Sequence, residues 1–326
     1  MRNAKTTARG RLTARFGGIF LVPCQGRAKH LPALLPYRLH RPCAAGPLAP
    51  PRFLTSSPLV LMLKKLTLIA SLALLGACST VPITGRRQLS LVSDTEINAL
   101  AATQYREVIA KGPLSNNSQQ VALVRTVGQR IQAAVERYFQ QQNAADQLSG
   151  YQWEFNVIQD DKQQNAWCMP GGKVAVYTGI LPITQDETGL AVVMAHEIAH
   201  AVAKHGSERM SQGLLQQAGG QALGAALSTN APATQQLALQ AFGVGSQLGL
   251  LRYGRNQETE ADHLGLIFMA MAGYNPDGAI TFWQRMDARE NQASPPEFLS
   301  THPSNGTRIA DIQRELPEAR KYYSAR

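Results

Sequence analysis

His196 and His200 stand four residues apart, with Glu197 beside the first, in the stretch Met194 to His205. On an α-helix this spacing puts both imidazoles on one face, one turn apart. Two such nitrogens and a neighbouring carboxylate are the parts of a zinc hydrolytic site. The histidines hold the ion and the carboxylate acts on water beside it. The pattern H-E-x-x-H also constrains the fold, because a third ligand has to arrive from another part of the chain. Gly189 to Ala195 is nearly all apolar, which predicts a buried helix. Two surface histidines would satisfy the short pattern as well, so its surroundings decide.

Charge narrows the partners. The 326 residues carry a net charge of +10. Residues 1–77 hold 12 of the 32 Lys and Arg and none of the 22 Asp and Glu, which leaves 20 basic against 22 acidic residues in the rest. No basic stripe remains in the body, and nucleic-acid binding is not expected. The length allows one or two domains with a sizeable core.

The leading residues read as targeting. Lys64 and Lys65 precede an uncharged apolar run, Leu66 to Leu75, and then Leu75-Gly76-Ala77-Cys78. Residues 62–77 are thus expected to be a signal peptide, too short to span a membrane as a helix. The ending is like a bacterial lipobox, with Cys78 lipidated as the first mature residue. Ser79 then favours the outer membrane, so the expected location is its periplasmic face, lipid-anchored. Residues 1–61 are Arg- and Pro-rich and acid-free. They suit either a transit peptide or an upstream extension before a true start at Met62. Cys24 and Cys43 fall in that part and only Cys168 remains in the body, so neither a disulfide framework nor a cysteine zinc cluster is expected.

Residues 78–92 are expected to be a polar tether, and residues 93–326 one domain. Ser93 and Glu96 form a capping-box pattern, predicting a helix to about Lys111. Val121, Val124, Val127, Ile131, Val135 and Tyr138 recur at helical spacing, predicting a packing helix over about 118–141. Strands are predicted at Tyr151 to Gln159 and on both sides of the Pro170-Gly171-Gly172 turn. Thr184 and Glu187 suggest a second capping box that starts the histidine helix, which is predicted to run to about His205. Residues 206–251, Gly-rich and almost uncharged, suggest two weakly specified helices around a loop at Ser228 to Thr234, which suit simple helix packing first, and also a mobile lid or a membrane- or partner-facing hairpin. Further helices are predicted over about 252–273, from Asn275-Pro276 to about Arg289, and over about 307–316.

For the third ligand, Glu258 and Asp262 share one helical face. Glu258 is the candidate for the metal, and Asp262 for the far nitrogen of a zinc histidine. With Glu260 nearby, the same residues also suit a solvated acidic face.

These stretches together resemble the CAAX-prenyl-protease-type zinc metallopeptidases. They are Asn165 to Leu181, His196 to His200, Glu258 to Asp262, and Thr301-His302-Pro303. The nearest likeness is to soluble bacterial periplasmic members that act in outer-membrane quality control, over roughly residues 80–316. The resemblance implies an α+β, mainly α, zincin-like domain. Its active-site helix would be packed by a small β-sheet, and a second helix would carry the Glu ligand. It implies one Zn²⁺ held by His196, His200 and Glu258, with Glu197 as general base and Asp262 as supporting acid. It also implies that the strand over Pro170 to Tyr177 offers its edge to an extended substrate. The transmembrane helices of the prenyl proteases and the tetratricopeptide tail of some periplasmic relatives are not seen in the body.

The expected reaction is peptide-bond hydrolysis, with Glu197 taking a proton from water and returning it to the leaving amine. His302 is a candidate contact to the transition state or the metal, or a plug in the open metal position. On a continuous helix, His205 faces away from the metal. Arg308 is a candidate partner for Asp262 or for a substrate carboxylate. Unfolded or misassembled envelope polypeptides are the implied substrates, and outer-membrane assembly machinery an implied partner. The rival reading is a chaperone that binds extended polypeptides and cuts rarely. A third is a structural lipoprotein with incidental histidines.

Overall fold

A computed structural model describes Met62 and residues 78–81, 83–218, 232–242, 254–290, 296–302 and 307–324. It contains a two-stranded hairpin, a three-stranded sheet and a surrounding set of helices. The expected signal peptide, apart from Met62, and residues 219–231 and 243–251 of the expected lid stretch lie outside the described residues. Among the described residues no helix is long and apolar enough to cross a membrane.

Strands β1 (Cys78–Thr80) and β2 (Arg87–Leu89) pair antiparallel, Cys78 opposite Leu89. The stretch expected to be a loose tether is therefore a hairpin, and it is docked: Gln88 is buried and Arg86 forms ion pairs with Glu208 and Glu260. Helix α1 (Asp94–Lys111) starts at the Ser93–Glu96 capping box. Helix α2 (Ser118–Gln141) is capped by the Asn117 side chain. It buries Val124, Val127, Ile131, Val135 and Tyr138, one apolar stripe facing the core.

The sheet is β3 (Glu154–Ile158), β4 (Ala166–Met169) and β5 (Lys173–Tyr177), in the order β3-β5-β4. β3 runs parallel to β5, and β4 antiparallel with Met169 opposite Lys173. The turn between them needs positive φ at both Gly171 and Gly172 (80° each), which glycine adopts without strain. Side chains alternate between two cores. Cys168, Val174 and Val176 face one, and Trp167, Met169 and Ala175 the other. The expected edge strand, Lys173–Tyr177, is central. Among the described residues the strand ending the sheet beside the histidine helix is β4.

After the short helix α3 (Leu181–Thr184), Gln185 turns the chain with φ 68°. Helix α4 (Glu187–Val202) then begins at Asp186, whose carboxylate accepts from Gly189 N–H at 2.7 Å. The cap is Asp186 and not Thr184, because the Thr184 hydroxyl bonds to Leu181 O instead. Every residue from Gly189 to Val202 is buried. Leu190, Val192, Val193, Met194, Ile198 and Val202 anchor this helix, each worth about 1.5–3 kcal/mol of burial. The histidine motif is thus held on a central, rigid element.

Helices α5 (His205–Ala218) and α6 (Pro232–Ala241) pack with α1 on the second core. Helix α7 (Arg255–Met271) crosses α4 closely. A Cβ on Gly265 would lie 3.2 Å from the His196 backbone, so the glycine lets the two helix axes approach. Helices α8 (Gly278–Glu290), α9 (Glu297–Thr301) and α10 (Arg308–Ala319) complete the first core.

Candidate active site

Four buried side chains converge: His196 and His200 from α4, Glu258 from the first turn of α7, and His302 from the residue after α9. Their donor atoms lie within 4.8 Å of one another. His196 Nε2 is 3.0 Å from His200 Nε2 and 3.5 Å from Glu258 Oε2. His200 Nε2 is 3.4 Å from Glu258 Oε1. His302 Nδ1 is 2.9 Å from Glu258 Oε1 and 3.2 Å from His196 Nε2. Tetrahedral ligands at about 2.0–2.2 Å from zinc stand roughly 3.3–3.6 Å apart. This nitrogen and carboxylate set is therefore close to the size and chemistry that zinc takes.

Glu197 lies beside this set, next to His302. Its Oε1 is buried without a hydrogen-bond partner, and His302 Nε2 lies 3.2 Å away without hydrogen-bond geometry. An orphaned carboxylate oxygen beside a ring of donors is what a site built for a cation and a water would present. Burial pushes the Glu197 carboxyl above its ordinary value, against the pull of His302 and His196. Burial also opposes the Glu258 carboxylate, but His302, Arg308 and hydrogen bonds with His196 and His200 outweigh it and hold the group well below the usual range. The two neighbouring carboxyls are thus shifted in opposite directions.

Behind each zinc-motif histidine stands a polar chain. His196 Nδ1 is 3.0 Å from Asp262 Oδ1. The Arg308 guanidinium donates to Asp262 at 2.7 Å and to Glu258 at 2.9 Å. His200 Nδ1 is 2.8 Å from His205 Nδ1, and His205 Nε2 is 2.8 Å from Glu260 Oε2. Hydrogen bonds from His205, Thr84 and Arg86 outweigh burial and lower the Glu260 carboxyl to about 2.

The position of His205 corrects the sequence expectation. α4 stops at Val202, Lys204 takes φ 60°, and His205 opens α5. The 140° offset of a continuous helix no longer applies, and the ring turns back to His200. The left-handed residue costs about 1 kcal/mol. It is stabilised by the Lys204 ammonium on Asp94 (2.6 Å) and Gln147 (3.0 Å). Residues 203–205, Ala-Lys-His, carry no breaker, so no local signal marked the bend. Glu260 and Arg86 were missed as well. Only the spacing of Glu260, two residues after Glu258 and so on a different helix face, hinted at a separate role.

The description of Peptidase family M48 matches residues 127–316, more than half of the chain. The chain is 36% identical over 240 residues to the mitochondrial metalloendopeptidase OMA1 of Schizosaccharomyces pombe, covering 73% of this chain and 66% of that protein. Identity to human OMA1 is 30% over 247 residues, covering 74% and 46%. Identity to the beta-barrel assembly-enhancing protease of Yersinia pestis is 27% over 256 residues, covering 77% and 50%. The chain thus spans less than two thirds of the length of these relatives. Several strong matches are named mitochondrial. This overturns the expected placement on the periplasmic face of an outer membrane with a lipid anchor at Cys78. Of the CAAX-prenyl-protease-type likeness, the match shows the broader family only. By the extent of the match and by the motif it contains, the chain belongs to peptidase family M48.

Proposed function

We propose that this protein is a zinc-dependent endopeptidase. The observation that carries the reading is the convergence of His196, His200 and Glu258 from two crossing helices, with a buried, unpartnered Glu197 carboxylate oxygen beside the set. Zinc, when bound, supplies Lewis acidity for a water and a peptide carbonyl. Glu197 takes the proton of the attacking water and delivers it to the leaving nitrogen, and its raised proton affinity suits both transfers. Glu258 stays ionised. Asp262 and Arg308 hold the His196 ring in one orientation.

The substrate is an extended polypeptide lying along β4. This strand ends the sheet and sits against α4; its residues are buried, so a chain pairing to it must first displace what covers the edge. Misfolded or assembly-stalled polypeptides are the proposed class. The relative named as a beta-barrel assembly-enhancing protease supports this. A mitochondrial address is supported by the OMA1 relatives and by the Arg-rich, acid-free residues 1–61.

His302 holds the site shut in the conformation described. Its two ring nitrogens reach Glu258 on one side and Glu197 on the other, the space that a water and a carbonyl need. One observation favours the binding-only alternative: four donors already form a closed set, and closed four-ligand sites are structural. The full chain loaded with zinc and offered casein separates the two. Cleavage lost in Glu197→Gln supports the peptidase. Stoichiometric zinc without cleavage by wild type, or by His302→Ala, would support a chaperone. A chain that binds no zinc would overturn both.

A further inference from the structure

The two zinc-motif histidines are braced from opposite ends of the chain. His196 is held by Asp262 and Arg308, the latter on α10. His200 is held through His205 and Glu260, and Glu260 is held by the hairpin: Arg86 Nε donates to Oε2 at 2.6 Å and the Thr84 hydroxyl to Oε1. Arg86 is fixed in turn by Glu208, which its Nη1 reaches at 3.0 Å and which accepts from Gln257 at 2.7 Å. This network runs from the partly exposed hairpin to the metal donors with no gap longer than a hydrogen bond.

We infer that Arg86 is a positioning residue for His200, acting through Glu260 and His205. The argument is one of donors and acceptors. Nε2 of His200 faces the other donors, so a metal needs its lone pair and the ring proton must sit on Nδ1. Nδ1–H then donates to His205 Nδ1, which must be unprotonated, and this places the proton of His205 on Nε2, facing Glu260. A carboxylate oriented by Arg86 therefore selects the tautomer of both rings. Without the guanidinium, Glu260 keeps only the Thr84 hydroxyl and His205 Nε2 to orient it, and both tautomers loosen. Outer partners of this kind change metal affinity without touching the metal. Docking of the hairpin and full-strength metal binding are thus one linked event.

The inference rests on the metal-site reading above, and its test separates the two. Full-length wild type, Arg86→Ala, Arg86→Lys and Glu260→Gln are compared for zinc affinity, by competition with a chromophoric chelator. The ligand-field spectrum of the cobalt-substituted proteins is recorded alongside. Arg86→Ala is expected to bind zinc about tenfold more weakly with a changed cobalt spectrum, and Arg86→Lys to recover part of the loss. Zinc affinity equal to wild type overturns the inference. So does a loss accompanied by an unchanged cobalt spectrum and a lower melting temperature of the metal-free protein, which would mark a structural role only. Should Arg86→Ala fail to fold, Glu260→Gln, nearly isosteric but uncharged, decides on the same two readouts. A wild type that binds no zinc would overturn the metal site itself, whereas a zinc-binding wild type with equal variants would overturn the role of Arg86 alone.

Discussion

The Arg308 guanidinium lies 3.4 Å from the centre of the Trp283 ring. Stacked there, it bridges Glu258 and Asp262 with a planar fork that a point charge cannot copy. Both carboxylates are largely out of water, so the cation is what makes their burial tolerable. Arg308→Ala is expected to destabilise the protein by about 3–5 kcal/mol, and Arg308→Lys by less. Urea unfolding of the two variants, compared at unchanged slope, checks the order.

Glu197 is expected to be indispensable for turnover and dispensable for metal. In Glu197→Gln, casein cleavage should fall by about 10²–10⁴-fold while bound zinc per chain stays at the wild-type value. A loss of zinc in step with activity would make Glu197 a ligand instead of a base.

His302→Ala should remove the plug. If about a tenth of molecules are open at a time, freeing the site raises cleavage about tenfold. Zinc affinity should drop, since one of four donors is gone. Initial rates on an unfolded substrate, with zinc in excess, separate the two effects.

Gly265→Ala tests the helix crossing. The added methyl meets the His196 backbone at 3.2 Å, so α7 must shift away from α4 by a few tenths of an ångström. A cost of about 1–3 kcal/mol is expected. The melting temperature should fall, and zinc affinity with it, because Glu258 rides on the displaced helix.

Alkaline pH is expected to unfold the protein through its buried tyrosines. Burial raises Tyr138 and Tyr274 to about 12, and pushes Tyr105 and Tyr151 higher still. In the unfolded chain each titrates near its ordinary value of about 10. A folded value above the unfolded one means that the stability these groups contribute is complete below about pH 10 and is lost as pH rises toward and beyond 12. An ultraviolet titration of tyrosinate should show late-ionising groups whose appearance coincides with the loss of helical circular dichroism.

The long helices were readable because their signals are local. The Ser93–Glu96 box and the valine stripe of α2 need no knowledge of the rest of the chain. His196, Glu197 and His200 were readable for a similar reason, since metal chemistry fixes residue types and helix geometry fixes spacing, whereas Glu258, on a distant helix, suited a solvated acidic face equally well and was singled out only by the family resemblance. His205 was misread because the bend at Lys204 is held by Asp94 and Gln147, partners far away in sequence. The strand order was misread because β3 inserts β5 between itself and β4, a pairing that alternation along one strand does not encode. The hairpin looked like a tether because its polar residues, Thr84 and Arg86, are written for Glu260 and not for solvent.

The Phe298 amide donates to Gln164 O at 3.1 Å, four residues before the plug histidine and just ahead of β4. The segment carrying His302, the plug of the proposed mechanism, is therefore also bonded to the residue leading into β4. An incoming extended chain that pairs along this edge competes for the same acceptor, and whatever loosens Phe298 draws His302 out with it. Such a latch discriminates by shape: a well-folded protein offers no free strand to compete, whereas a chain that has failed to fold does. On the proposed reading, selectivity would rest on a single backbone hydrogen bond.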